Sequence, residues 1–377
     1  MIPVLKRQFK KIFSVDPEQI WMAPASVIFM GEYGLDQLCL SMGVAVDRYV
    51  YVAIRRRPDH FVNMVNLQFN NQTSYFDVRN FDKSTYEWSN YTRALVKELL
   101  NVGHPITGFD IAFTGDIPMG CGLNSSGAYC MAILSAIQGI HDESFGDLSE
   151  FANFCDWAET SDFIRKPSNL TAPMISGLGM ENKSLMVNNF NNDARYFKLP
   201  ADHCFMVIKA DTKPQDIQAD KQVVLEKACK RMNIKSLRES SMNKLEQFRA
   251  QISIPAVKMC SHIVRDSDRV MELGHALDAQ NVERISTLFG ISALSLKYDM
   301  CATNKKLDFI IDYVDAIDEH MNIPCKPISE NACVVMVTHK QGDELIRGLR
   351  NAYCEEFAEE LEIYRLKSAD GVTEATI

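Results

Sequence analysis

The chain has 377 residues, long for one hydrophobic core and suited to two domains. Its 46% hydrophobic and 24% charged residues are those of an ordinary globular protein, and a net charge of -9 argues against a nucleic-acid binder, which needs a basic face. Eleven scattered cysteines without a Cys-x-x-Cys pair, and eight dispersed histidines, give no zinc spacing and fit a reducing, cytoplasmic compartment.

Residues 1–13 are basic and amphipathic and read as a surface helix. They lack the apolar core and small-residue cleavage site of a signal peptide, and no stretch approaches a transmembrane span. Residues 44–54 and 75–78 look extended, with Arg55, Arg56 and Arg57 as a solvated strand end, and 87–102 looks helical. A strand at 109–113 leads through a glycine- and serine-rich loop into an apolar helix at 128–137. A helix at 148–163 is broken by Lys166-Pro-Ser-Asn169. Strands follow at 184–187 and 205–209, then a long polar helical region at 215–248 and further helices through Leu296. A strand at 333–337, a helix at 343–358 and a last strand at 363–366 complete the series. The acidic run 355–360 reads as a solvated helical face, and Cys130, Cys204 and Cys333, inside apolar runs, read as small buried hydrophobes.

The loop is the most informative segment: Gly115-Asp-Ile-Pro-Met-Gly-Cys-Gly-Leu-Asn-Ser-Ser-Gly-Ala128. Gly120 and Gly122 permit strained angles and close approach, and Ser125 and Ser126 offer hydroxyls at a helix start. Strand, glycine-serine loop and buried helix aim free amides and a positive helix end at phosphate. A tight turn with a serine cap explains the same residues, so the pattern alone leaves two readings.

The wording of the loop narrows the choice. Pro118-x-Gly-x-Gly-Leu-x-Ser-Ser126 resembles the second motif of the GHMP kinases, small-molecule kinases for galactose, homoserine, mevalonate and phosphomevalonate. Ala23-Pro-Ala-Ser-Val-Ile-Phe-Met-Gly-Glu32 resembles the first galactokinase motif, and Met174-Ile-Ser-Gly-Leu-Gly179 falls where galactokinases have their third conserved segment. Ser295-Leu-Lys-Tyr-Asp299 and Cys333-Val-Val-Met-Val-Thr-His339 match the C-terminal half in order, so the similarity runs from about Ala23 to about Gly371. The resemblance implies an α+β fold of two domains, 1–190 and 191–377, with ATP, Mg2+ and a sugar held in the cleft between them. It places Pro118, Gly120, Gly122, Leu123, Asn124, Ser125, Ser126 and Gly127 at the nucleotide, and Ser126 and Glu159 at magnesium. For Glu159 an exposed helix carboxylate is the competing reading.

The catalytic words depart from the family. Ser26 stands where galactokinases place an arginine beside the transferred phosphate, and loss of one such donor costs a factor of about 10²–10³. Ala172 occupies the position of the aspartate facing the acceptor hydroxyl, a loss of about 10²–10⁴. At the sugar, Glu32 is kept, the aspartate position falls on Leu35 with Asp36 beside it, and Gln222 replaces a tyrosine. The glycine run before the C-terminal strand is replaced by Lys326-Pro-Ile-Ser-Glu-Asn331. Two functions follow from these departures. One is a nucleotide-binding, regulatory pseudokinase acting on a protein partner or as a sensor. The other is an active small-molecule kinase with an altered acceptor site, in which Asp36, Thr171 or Asp162 orients the hydroxyl and a lysine from elsewhere replaces the arginine.

Overall fold

The computed structural model describes residues 1–141, 144–210, 217–317 and 322–376. Helix α1 (Ile2–Phe13) buries Leu5 and Phe9 and leaves Lys10 and Lys11 exposed, as its amphipathic pattern requires. Strands β1 (Gln19–Met30) and β2 (Leu40–Arg56) form the centre of an eight-stranded sheet. On one side follow β5 (Phe109–Gly115), β3 (Phe61–Asn66) and β4 (Gln72–Asp77), and β12 (Thr373–Glu374) lies on the other. β2 is long enough to serve two neighbours: 50–56 pairs with β5, and 40–43 pairs with β6 (Lys183–Asn188), which carries β7 (Ala194–Lys198). The sheet therefore takes in chain on both sides of position 190.

Helices α2 (Glu87–Asn101), α3 (Ser125–Gly139), α4 (Leu148–Thr160) and α5 (Thr171–Leu178) contribute to the cores packed on this sheet. α3 buries Ala128 and every residue from Cys130 to Ile137, so it is apolar all round because it is enclosed all round. A second sheet has the order β11 (Glu362–Leu366), β8 (His203–Lys209), β10 (Ala332–Thr338), β9 (Cys325–Ser329), all antiparallel. Its strands feed two cores by simple alternation. Phe205, Val207, Val334 and Met336 join the core of the first sheet, whereas Cys204, Met206, Cys333, Val335 and Val337 pack with α10 (Lys305–Ile317) and α11 (His339–Phe357). α6 (Ile217–Met232), α7 (Met242–Gln247) and the first half of α8 (Ile254–Asp278) form a further core with Cys39, and the second half of α8 joins α9 (Val282–Tyr298) in the core of the first sheet.

Three expectations are corrected. The polar region 215–248 is not one helix: 215–216 lie outside the described residues, α6 ends at Met232, and Asn233 turns into the left-handed region that asparagine tolerates (φ 52°). The helix expected to reach 163 stops at Thr160, with Ser161 extended, before the Lys166-Pro break. Arg56 and Arg57 are not a free solvated end. Arg56 donates to the Ile140 carbonyl, and Arg57 bridges Asp59 and the buried Asp110 at 3.0 Å, because a buried carboxylate needs a partner. All eleven cysteines are free, and Cys130, Cys204 and Cys333 are buried as expected. No helix among the described residues is long and apolar enough to cross a membrane.

Candidate active site

The loop between β5 and α3 takes its shape from three left-handed residues, Gly120 (φ 72°), Gly122 (φ 72°) and Asn124 (φ 49°). At Gly122 a Cβ would lie 3.2 Å from the Ser329 side chain at the end of β9, so glycine lets the loop approach the second sheet. Asn124 holds the loop shut on its other side. Its amide donates to the Ser26 carbonyl (3.1 Å) and the Gly122 carbonyl, and its oxygen accepts from Asn169 (3.3 Å). Because that side chain faces the protein, α3 begins without a side-chain cap. The serine-cap reading of the loop is thus set aside, and the positive end of a buried helix is left uncapped.

The loop forms one wall of a cleft of about 450 Å³, lined on this side by Gly120, Gly122, Asn124 and Ser126. Glu159, at the end of α4, faces the same space and is 2% exposed, so it is a site carboxylate and not an exposed helix residue. Its Oε1 has no hydrogen-bond partner. Burial pushes its carboxyl above the ordinary glutamate range, against the pull of Ser126 and Lys166. Lys166 reaches the cleft with its Nζ on the Tyr91 hydroxyl at 2.5 Å. The segment carrying it is pinned to α4 by Asp156, which accepts from Ser168 Oγ and the Asn169 amide (2.7 Å). An orphaned buried carboxylate oxygen beside a serine hydroxyl suits a divalent cation. Among the described residues no three His, Cys, Asp or Glu side chains cluster to hold one by themselves. Magnesium takes one or two carboxylates and relies on substrate phosphates for the rest.

The inner end of the cleft is lined by Glu32, Tyr33, Leu35, Asp36, Lys221, Gln222 and Leu225. Asp36 is pushed up by burial, with Gln37 donating to it at 3.4 Å. Glu32 is raised by burial, yet both its oxygens meet the fully buried Lys326 Nζ, at 2.8 and 2.9 Å. The neighbouring Gly31 amide donates to Asp266 of α8 (3.0 Å), which also accepts from Arg269 (2.8 Å) and Ser292 (3.0 Å). Burial favours the neutral acid of Asp266, but His262, Lys326 and Arg269 hold it well below the ordinary aspartate range. Burial also lowers His262 to about 4, so it is neutral near pH 7. The turn after β1 is thereby tied to both α8 and β9.

A family model for the GHMP kinases N terminal domain matches residues 90–168, the stretch that contains the loop, α3, α4 and Glu159. A galactokinase of Roseiflexus sp. (strain RS-1) is 23% identical over 380 residues, covering 98% of this chain and 96% of that one. A galactokinase of Clostridium beijerinckii is 24% identical, covering 98% of each chain. The crystal structure of Lactococcus lactis galactokinase complexed with galactose superposes with a TM-score of 0.91 at 19% identity, over 99% of both chains. The chain is thus galactokinase-like over nearly its whole length, with a GHMP kinase N-terminal domain match at 90–168.

Of the residues singled out from the galactokinase-like motifs, the cleft brings together Gly120, Gly122, Asn124, Ser126, Glu159, Glu32, Asp36 and Gln222. Others are placed elsewhere. Pro118 and Leu123 shape the loop from behind, Pro118 accepting from the Cys121 thiol and Leu123 buried in the core, while Ser125 is exposed beside the opening. Gly127 is buried where a Cβ would sit 3.1 Å from that of Ala172, so α3 and α5 meet there. Thr171 is corrected as an acceptor-binding residue: it is fully buried, donates to Asn189 (2.8 Å) and meets the Ser41 hydroxyl at 2.5 Å. Asp162 is almost fully exposed and pairs with Arg165, away from the cleft lining. Ser26, 1% exposed, has a hydroxyl without a partner and serves the loop through its backbone. Lys166, Lys221 and Lys326 were not marked as site residues by the sequence. Each lies in a polar or proline-broken stretch; the fold buries Lys221 and Lys326, whereas Lys166 stays exposed with its Nζ on Tyr91.

Proposed function

We propose that the protein binds Mg·ATP against the loop and a small molecule at the inner end of the cleft, and acts through that binding as a regulatory pseudokinase. The carrying observation is a contrast within one site. Ser126 and Glu159 face the cleft with a carboxylate oxygen unpaired, whereas Ala172, at the family's aspartate position, offers a methyl group packed on Gly127. Ser126 and Glu159 would hold the magnesium ion, which supplies neutralising charge to the phosphates. Lys166 holds positive charge beside Glu159, and Gly120 and Gly122 let backbone amides approach the phosphates. Without an aspartate at 172 or an arginine at 26, removal of the acceptor proton and neutralisation of the transferred phosphate lose their usual groups.

A second reading, an active small-molecule kinase with a changed acceptor, draws on Lys166, a lysine lining the cleft beside Glu159, to stand in for the missing arginine. The experiment that separates the two is transfer of the terminal phosphate of ATP to a panel of sugars, galactose included, at high protein concentration beside a competent galactokinase. A blank panel with Mg·ATP-dependent thermal stabilisation is the expected result. Product above background establishes the kinase reading, and absence of any Mg·ATP effect, or one unchanged in Ser126→Ala, removes the nucleotide assignment. We also take the chain as two units with the division expected at 190 moved to the β7–β8 connection, since β7 still pairs in the first sheet. The free cysteines support a reducing, cytoplasmic setting.

A further inference from the structure

We infer that the small molecule taken up at the inner end of the cleft carries an acid group, a carboxylate or a phosphate, and that Lys221 is the residue that receives it. This rests on the reading of the cleft as a two-ligand site. Lys221 stands in the second turn of α6, and Leu225, four residues on, shares its face, so both line the same space. The residue is 5% exposed, and its Nζ has no hydrogen-bond partner. Its nearest polar surroundings do not satisfy it. The Tyr33 ring lies 5.4 Å from Nζ, and Glu330 and Cys301 act on it through space without a hydrogen bond.

A buried ammonium without a bonded partner is costly, and burial lowers its pKa accordingly. The other cations here are already engaged: Lys326 holds Glu32, and Lys166 holds the Tyr91 hydroxyl beside Glu159 at the phosphate end. Lys221 is left with three donors aimed at a space shared with Gln222, Asp36 and Tyr33. An acid oxygen there forms a charge-assisted hydrogen bond in a partly desolvated site, whereas a neutral hydroxyl forms a weaker one. Asp36, raised by burial, is placed to accept from a hydroxyl of the same ligand or, protonated, to donate to it.

The test is thermal unfolding of the full chain with galactose, galacturonate, glucose 6-phosphate or inorganic phosphate, each with and without Mg·ATP, on wild type, Lys221→Met and Lys221→Arg. The expected result is stabilisation by at least one acid and not by galactose. Lys221→Met should weaken that acid's apparent affinity roughly tenfold or more, with the Mg·ATP shift retained and Lys221→Arg restoring part of it. Unliganded Lys221→Met should melt at a higher temperature than wild type, since an unpaired buried charge is gone. Galacturonate against glucose 6-phosphate separates carboxylate from phosphate as the acid group. Equal stabilisation by galactose, an acid response unchanged in Lys221→Met, or loss of the Mg·ATP shift in that variant overturns the inference. A chain that answers Mg·ATP but no acid overturns it and leaves the nucleotide reading standing. One that answers an acid but not Mg·ATP does the reverse, and one that answers neither overturns both.

Discussion

At the loop end of the cleft, Gly120, Gly122 and Ser126 line the opening and Glu159 keeps a carboxylate oxygen unpaired. At the β1 end Glu32 spends both oxygens on Lys326, and behind the cleft wall Thr171 spends its hydroxyl on Asn189 and Ser41. The same family scaffold supports both ends, so the difference lies in where polar groups find partners. The loop end leaves a carboxylate oxygen for a ligand, whereas at the turn after β1 all but Lys221 and Asp36 is used to join α8 and β9. Groups open to a ligand and groups spent on architecture stand side by side within one site.

The largest effect should come from breaking the joined end. Glu32→Leu leaves Lys326 buried without its carboxylate and should cost about 3–5 kcal/mol in urea unfolding, whereas Glu32→Leu with Lys326→Met should recover most of that. A double variant as unstable as the single one would show that the pair is not what holds the turn. At the open end, Glu159→Gln should remove the stabilisation by Mg·ATP, worth about 2.7 kcal/mol at 100 times the dissociation constant, while leaving the unliganded fold at least as stable. The pH dependence has a definite sign. The Glu159 carboxyl is raised in the folded chain, so its contribution to the unliganded fold is largest at low pH and is lost as pH rises through the raised value. A bound cation needs the carboxylate, so the Mg·ATP shift should shrink as pH falls into the window just above the ordinary value of 4.5, and calorimetric titration reads this directly. A shift unchanged across that window would take Glu159 out of the metal site.

Gly122→Ala sharpens the comparison more finely. A side chain at φ 72° and 3.2 Å from Ser329 should cost about 1–2 kcal/mol and weaken nucleotide binding along with it, because the loop's approach to β9 is what sets the opening. Stability lost with nucleotide affinity intact would mean that the loop's shape does not matter to the ligand. The smallest effect belongs to Asp162→Ala, an exposed carboxylate paired with exposed Arg165, which should leave both ligand responses unchanged.

Much of the fold was legible in the chain. The alternation at 205–209 and 333–337 became two strands of the second sheet, and the apolar run after the loop became an enclosed helix. The Gly-x-Gly-Leu-x-Ser-Ser wording placed the loop in the cleft. Less legible was the long polar segment, where one left-handed asparagine at 233 outweighed continuous helical composition.

Sequence by itself pointed to a galactokinase-like chain, its α+β architecture and the identity of the loop, because the wording of a motif is a property of neighbouring residues and its resemblance carries the fold with it. It also marked Ser26 and Ala172 as departures from the wording of the motifs it resembles. Tertiary structure decided which polar groups are spent: that Thr171 is consumed by Asn189, that Glu159 is buried with a free oxygen, and that Lys326 and Lys221, alike as letters, differ in having and lacking a partner. Burial and pairing are set by residues far apart in the chain, here 294 positions between Glu32 and Lys326, and no local pattern carries that information.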